Sequence, residues 1–100
     1  MLIHSTYENI KDKLDKGLKI VVFHAKWCGA CRMLAPVLEQ VAEEGETIIK
    51  IDVDEDRTFA AANNVSSIPY ILIYKDGVIV DKLLGYRPYE QLKEEIAKHK

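Results

Sequence analysis

Cys28 and Cys31 stand three positions apart in Trp27-Cys28-Gly29-Ala30-Cys31-Arg32 and are the only cysteines of the chain. Thiols at that spacing open and close a small disulfide ring, so the first chemistry they offer is redox exchange. The ring is too small to restrict the unfolded chain much, so a bridge here serves reactivity and not architecture. A thiolate, not a thiol, attacks a disulfide, and an ordinary Cys ionises only near pH ~8.5. The unpaired N–H groups and positive dipole end of a helix N-terminus lower that value. Cys28 lies where an apolar run gives way to a helical stripe, which makes it the expected nucleophile. Cys31, one turn further on and expected to be more covered, is the resolving thiol. The same spacing also serves half a zinc site, an iron–sulfur ligand pair or two packed core cysteines. No second Cys pair or matching His pair is present to complete a metal site.

The elements around the pair decide between these readings. Ser5 and Glu8 have capping-box spacing, and Tyr7, Ile10 and Leu14 recur at helical spacing until Gly17, which predicts a first helix. Ile20-Val21-Val22-Phe23 reads as a central strand covered on both faces. From Cys31, the apolar positions Leu34, Val37, Leu38 and Val41 predict a second helix that stops near Gly45 and is kinked at Pro36. Ile48 to Ile51 is a strand, Arg57 to Asn63 a short helix, and Tyr70 to Tyr74 a strong strand. Asp76-Gly77 turns the chain into a strand at Val78 to Leu84, and Pro88 opens a last helix with Tyr89, Leu92 and Ile96 on one face. Met1 to Ile3 is a possible additional short strand. This alternation predicts an α/β fold with a parallel core, extended by an antiparallel hairpin. A Cys-x-x-C pair in a βαβ setting favours redox chemistry over ligation.

Composition narrows the partners. One hundred residues, 48% of them hydrophobic, predict a single domain over residues 1–100. The net charge of −2 and the lack of a dense Lys/Arg stripe point away from nucleic acid and anionic membranes. No apolar run approaches the ~20 residues of a membrane span, and the first residues lack a basic, then apolar leader pattern, so a cytoplasmic protein is expected. Asn64-Val65-Ser66 matches a glycosylation sequon by chance on that reading. The run Asp52, Asp54, Glu55 and Asp56 reads as a solvated loop and helix start. His4 and His99 read as surface residues near the termini.

These residues carry a resemblance to the thioredoxin family. Its specific parts are Phe23, Ala25-Lys26-Trp27-Cys28-Gly29, Ala35-Pro36, Lys50-Ile51-Asp52-Val53-Asp54, Ile68-Pro69, Lys75-Asp76-Gly77 and Gly85, within a stretch from Ile20 to about Ile96. The resemblance implies a thioredoxin fold, with a central mixed sheet of four or five strands flanked by four helices. It implies reduction of protein disulfides, with no bound cofactor beyond the Cys28–Cys31 pair. Recharging would come from an external flavin- and NADPH-dependent reductase of the thioredoxin-reductase kind. A monomer is expected. The family pattern gives Pro69 a cis peptide bond beside the cysteines, with the Ile68 backbone offering strand-like hydrogen bonds to an extended substrate. Trp27 is either buried or shapes the docking surface, while the small Gly29 and Ala30 permit close approach of a partner backbone. Gly85 either does the same or ends its strand.

Departures from the family pattern bear on mechanism. Val22 stands where the family carries a buried Asp that accepts the proton of the resolving Cys. Lys50 matches the lysine that pairs with that Asp, so its ammonium either reaches solvent or finds another acid. Without the carboxylate, burial favours the neutral Cys31 thiol, and resolution is expected to slow near neutral pH. His24, on the same strand face as Val22, either simply packs, or partly replaces the missing base or tunes Cys28 by its charge. Ala30 replaces a proline between the thiols, which predicts a less reducing pair. Tyr70, after Pro69, either narrows the substrate groove or packs as a strand aromatic. A docking module whose thiols cycle slowly, or for one dedicated partner, is the alternative function.

Overall fold

The computed structural model describes every residue from Met1 to Lys100. A five-stranded mixed sheet forms the middle layer, with strands in the order β1-β3-β2-β4-β5. These are β1 (Leu2–Ser5), β2 (Leu18–His24), β3 (Thr47–Asp52), β4 (Tyr70–Lys75) and β5 (Val78–Leu84). β1 and β2 pair in parallel with β3, whereas β4 runs antiparallel to β2 and β5 antiparallel to β4. The helices are α1 (Tyr7–Ile10), α2 (Gly29–Glu43), α3 (Arg57–Ala62) and α4 (Tyr89–Ala97). The short strand read at the start of the chain is real and becomes the sheet edge beside β3.

The unbroken apolar run of β2 follows from its place at the centre. Ile20 and Val22 point to one face, where they meet Leu34, Leu38 and Val41 of α2 and Leu92 and Ile96 of α4. Val21 and Phe23 point to the other, against Ile10, Leu14 and Phe59. With both faces covered, no position on this strand needs a polar side chain. Each fully buried Ile, Val or Phe there contributes about 2 kcal/mol of transfer free energy. β2 is thereby a rigid rod whose end delivers Ala25 to Cys28 at a fixed place.

Several local expectations are corrected. The first helix is a single turn of four residues followed by a 3-10 turn, Lys11–Lys13, rather than one helix reaching Gly17. Its N-cap is Thr6, and the Ser5–Glu8 box does not form. A helix this short cannot sustain itself. It is held instead by the Tyr7 ring stacked on Phe59 at 4.6 Å and by Tyr7 N–H donating to Asp56 Oδ2 at 2.8 Å. α2 begins at Gly29, with Cys28 as its N-cap, and continues past the exposed Pro36 as one element. The acidic run is an exposed turn at Asp54 and Glu55 and a helix start at Asp56, as read, but Asp52 is not solvated. Asp52 ends β3 with only 7% of its surface exposed, and Asp56 caps α3 by accepting from Phe59 N–H at 3.1 Å. His99, partly buried, bridges to Asp81 at 2.9 Å and ties the end of α4 to β5.

The two termini of the β4–β5 hairpin are anchored differently. At one end Asp76 and Gly77 both adopt positive φ, as a two-residue turn requires, and Asp76 accepts from Gly17 N–H at 2.8 Å. At the other end Gly85, with φ 91°, donates its N–H to the Pro69 carbonyl at 2.8 Å. Arg87 holds this segment by donating to the Gly85 carbonyl at 2.9 Å, while its Nε pairs with Glu95 of α4 at 2.6 Å.

Asp56 serves two elements with one carboxylate, so its loss removes two partners at once. Asp56→Ala is expected to lower stability by about 2 kcal/mol, the upper part of the range for a lost cap. Chemical denaturation monitored by circular dichroism reads this directly; a change within a few tenths of a kcal/mol would contradict the dual role.

Candidate active site

The site begins where β2 ends. The chain leaves His24, turns with Cys28 N–H donating to the Ala25 carbonyl at 3.2 Å, and enters α2. Cys28 has an extended backbone, φ −95° and ψ 111°, as an N-cap requires, and its sulfur accepts from Cys31 N–H at 3.2 Å. The sulfur thus takes the place that a Ser or Asp oxygen usually holds over the first turn. Cys28 and Cys31 form a disulfide, with Cα atoms 5.2 Å apart.

The two thiols differ less in burial than in surroundings. Cys28 is 8% exposed and Cys31 6%, so the expected difference in coverage is slight. On one side, Cys28 Sγ lies 3.8 Å from the Ile68 carbonyl oxygen. Ile68-Pro69 is a cis peptide, Pro69 is buried, and the Ile68 N–H has no partner within the chain. On the other side, Cys31 lines an open cavity of about 250 Å³ with His24, Lys50, Lys26, Arg32 and two alanines. Ala25 and the half-buried Val53 and Ile68 pack against the pair itself.

Trp27 is 67% exposed, which settles its placement in favour of the surface. Its indole Nε1 donates to Asp54 Oδ2 at 2.8 Å, so the ring is held at a defined angle beside Cys28. Gly29 is exposed at the first position of α2, and a Cβ there would come no nearer than 3.9 Å to Arg32. Gly85 ends β5 and is bonded to the Pro69 carbonyl, on the Ile68 side of the disulfide. Tyr70 starts β4 with its ring stacked over Phe23 at 6.2 Å, among the side chains of the sheet.

Beneath Cys31, Val22 and Lys50 are partners in the β2–β3 ladder, and Lys50 is flanked on its other side by His4 of β1. His24 and Asp52 are the next pair along the same two strands. Burial pushes the Lys50 ammonium below its ordinary value, with only a weak opposing pull from Glu39. Burial likewise lowers the His24 imidazole. The Lys50 charge adds to this, Asp52 opposes it and His4 reinforces it. His24 is therefore a neutral imidazole near pH 7, able to accept a proton. Sequence reasoning missed Asp52 and Asp54. Their one signal was the strand-to-loop position in Ile51-Asp52-Val53-Asp54, where alternate residues return to the site.

A dithiol set at a helix N-terminus, opposed by a cis-proline loop and mounted on a mixed sheet, defines a thiol–disulfide oxidoreductase. Comparison with known proteins agrees at every level. The Thioredoxin family model matches residues 1–98. The thioredoxin of Staphylococcus saprophyticus is 44% identical, over 98% of this chain and 97% of its own, and that of Staphylococcus aureus is 43% identical over the same shares. The reduced thioredoxin pre-protein of Schistosoma mansoni superposes with a TM-score of 0.87 at 27% identity, covering 97% of this chain and 96% of that one. The chain belongs to the thioredoxin family. Its redox group is its own Cys28–Cys31 disulfide, and it is a protein-disulfide reductase.

The electrostatics of His24 give a direct check. In an NMR pH titration of the imidazole, Lys50→Met is expected to raise the His24 midpoint and Asp52→Asn to lower it further. Shifts of the opposite sign would overturn the assignment of these neighbours.

Proposed function

We propose an ordered two-step exchange in which Cys28 attacks and Cys31 resolves. The observation that supports it is the position of the Cys28 sulfur as the N-cap of α2, accepting from Cys31 N–H at 3.2 Å. Helix-terminal N–H groups favour the anion, so in the dithiol form Cys28 is the thiolate at neutral pH. It attacks one sulfur of a partner's disulfide, and the other partner sulfur leaves as a thiolate that takes a proton from solvent. Cys31 then gives up its proton and attacks Cys28 Sγ. The internal disulfide forms as the second partner thiolate departs, and two electrons have passed to the partner.

Substrate binding is read from the surface beside Cys28. An extended segment of the partner lies along Ile68, whose N–H is unpaired, and accepts main-chain hydrogen bonds there. Pro69 and Gly85 back that strip, Trp27 walls it, and Gly29 and Ala30 let the partner's backbone come close. Tyr70, anchored on Phe23, sets the depth of the groove. His24 is the acceptor for the Cys31 proton, since Val22 supplies none.

The partner class is proteins with accessible disulfides, and a reductase of the thioredoxin-reductase kind returns the pair to the dithiol. No helix is long and apolar enough to cross a membrane. Reduction of protein disulfides fits a cytoplasmic setting, where thiols are kept reduced. We read residues 1–100 as one domain acting as a monomer.

In a reductase-coupled insulin assay the unmutated chain is expected to turn over and Cys28→Ser to be inactive. Cys31→Ser is expected to accumulate a mixed disulfide with the substrate through Cys28, visible by mass spectrometry. His24→Phe is expected to slow the second step and leave the first unchanged. Absence of turnover by the unmutated chain would instead favour a docking module.

A further inference from the structure

On the sheet face away from α2 and α4, an open cavity of about 690 Å³ lies between α1, α3 and β4. It shares no residue with the cavity beside Cys31, and its volume falls within the roughly 300–1,000 Å³ of small-ligand pockets. Tyr7, Phe59 and Tyr74 form its aromatic wall, with Tyr7 stacked on Phe59 at 4.6 Å. Glu8, Glu55 and Asp56 are its charged groups, and no cation lines it. Two of these acids are already engaged. Glu8 pairs with Lys11 at 2.8 Å, and Asp56 accepts from the N–H groups of Tyr7 and Phe59. Glu55 enters none of the ion pairs of the fold. No three acids stand close enough together to hold a metal ion.

Tyr74 makes this more than an acidic rim. It belongs to the apolar cluster of Val21, Phe59 and Leu72, and only 8% of it is exposed, yet it lines the cavity. Its hydroxyl has no hydrogen-bond partner in the chain, whereas the Tyr89 hydroxyl binds Glu44 and Lys93. Nor is that oxygen sealed in, since the only enclosed side-chain polar atoms without a hydrogen bond belong to the Arg87–Glu95 pair. The ring is therefore buried and the hydroxyl opens into the cavity. A Phe at this place would fill the same volume without leaving a polar group in need of a partner. Burial, reinforced by the Tyr7 phenol, pushes the Tyr74 hydroxyl above its ordinary value, so it stays protonated at neutral pH and its oxygen is a neutral acceptor.

We propose that this cavity binds a planar organic cation of the guanidinium class, with its face on the Tyr7 ring, Glu55 as counter-charge and the Tyr74 oxygen as acceptor. A guanidinium is weakly hydrated, stacks flat on aromatic rings and donates its N–H groups in one plane, which answers a wall of rings edged with acceptors. A compact ammonium is strongly hydrated and makes no flat contact. An anion would meet three carboxylates. The same group is presented by small guanidine compounds and by the arginine side chain of a protein.

Binding is read in the full chain by NMR of the backbone amides. Phenylguanidine serves as the free cation, phenylurea as its neutral counterpart, and an acetylated, amidated Gly-Arg-Gly peptide as the protein-borne source. Phenylguanidine is expected to shift the amides of Tyr7, Phe59 and Tyr74, and phenylurea to leave them in place. Tyr74→Phe keeps the ring and is expected to weaken binding about tenfold, the scale of one hydrogen bond to a charged group. Glu55→Gln is expected to weaken it about threefold, the scale of an exposed ion pair. Circular dichroism verifies folding of both variants, and the comparison of the two probes on the unmutated chain needs neither. Tighter binding of the peptide than of phenylguanidine supports the site with a protein as its source, and the reverse supports it with a small molecule. Absence of shifts at millimolar phenylguanidine, equal shifts with phenylurea, or an affinity unmoved by Tyr74→Phe overturns the proposal.

Discussion

The structure depends on one junction, the turn from the buried end of β2 into the first turn of α2. A helix that starts at the end of a central strand leaves its first N–H groups without partners inside the helix. Here a sulfur answers one of them, through the Cys31 N–H to Cys28 Sγ contact of 3.2 Å. The same contact satisfies the backbone, sets the sulfur's position and favours its anion. Core packing on both faces of β2 fixes where the junction stands, and the Gly85, Arg87 and Glu95 contacts hold the Pro69 loop opposite it. Folding energy and reactivity meet at one atom.

The second organising feature is charge at the floor of the site. Val22 completes the apolar row of β2, and the cost of that choice falls on Lys50, which is half-buried with no acid in reach of a salt bridge. In a site with a buried carboxylate, a cation and an anion would neutralise each other and the proton would have a nearby acceptor. Here the cavity beside Cys31 is lined by cations and by the neutral His24 imidazole. Desolvation acts on His24 and Lys50 alike, toward the neutral form, so the geometry of the remaining charges decides which group ionises.

Much of this was legible in the sequence because it rests on local pattern. The apolar runs give β2 and β4, the helical stripes give α2 and α4, Asp76-Gly77 gives the hairpin, and the Cys spacing gives the ring. Ile68-Pro69 and Lys50 were legible as site residues through the family resemblance. What the sequence concealed are contacts across the chain between residues of ordinary type. Asp56 looks like one acid in a polar run, yet it bonds Tyr7, 49 positions away, and caps α3. Asp54 steadies Trp27 across 27 positions, and His99 bridges to Asp81 across 18. Ser5 and Glu8 had the spacing of a capping box, but Ser5 is spent in β1, where pairing with β3 outweighs a local cap.

On the proposed exchange, the N-terminus of α2 makes Cys28 the nucleophile. The most direct measurement is the ionisation of Cys28 in the reduced protein, followed by the pH dependence of its alkylation with Cys31 replaced by Ser. A helix-terminal Cys28 is expected to show a midpoint clearly below the ~8.5 of an ordinary cysteine, in the neutral range or lower. A midpoint at or above that value would contradict it.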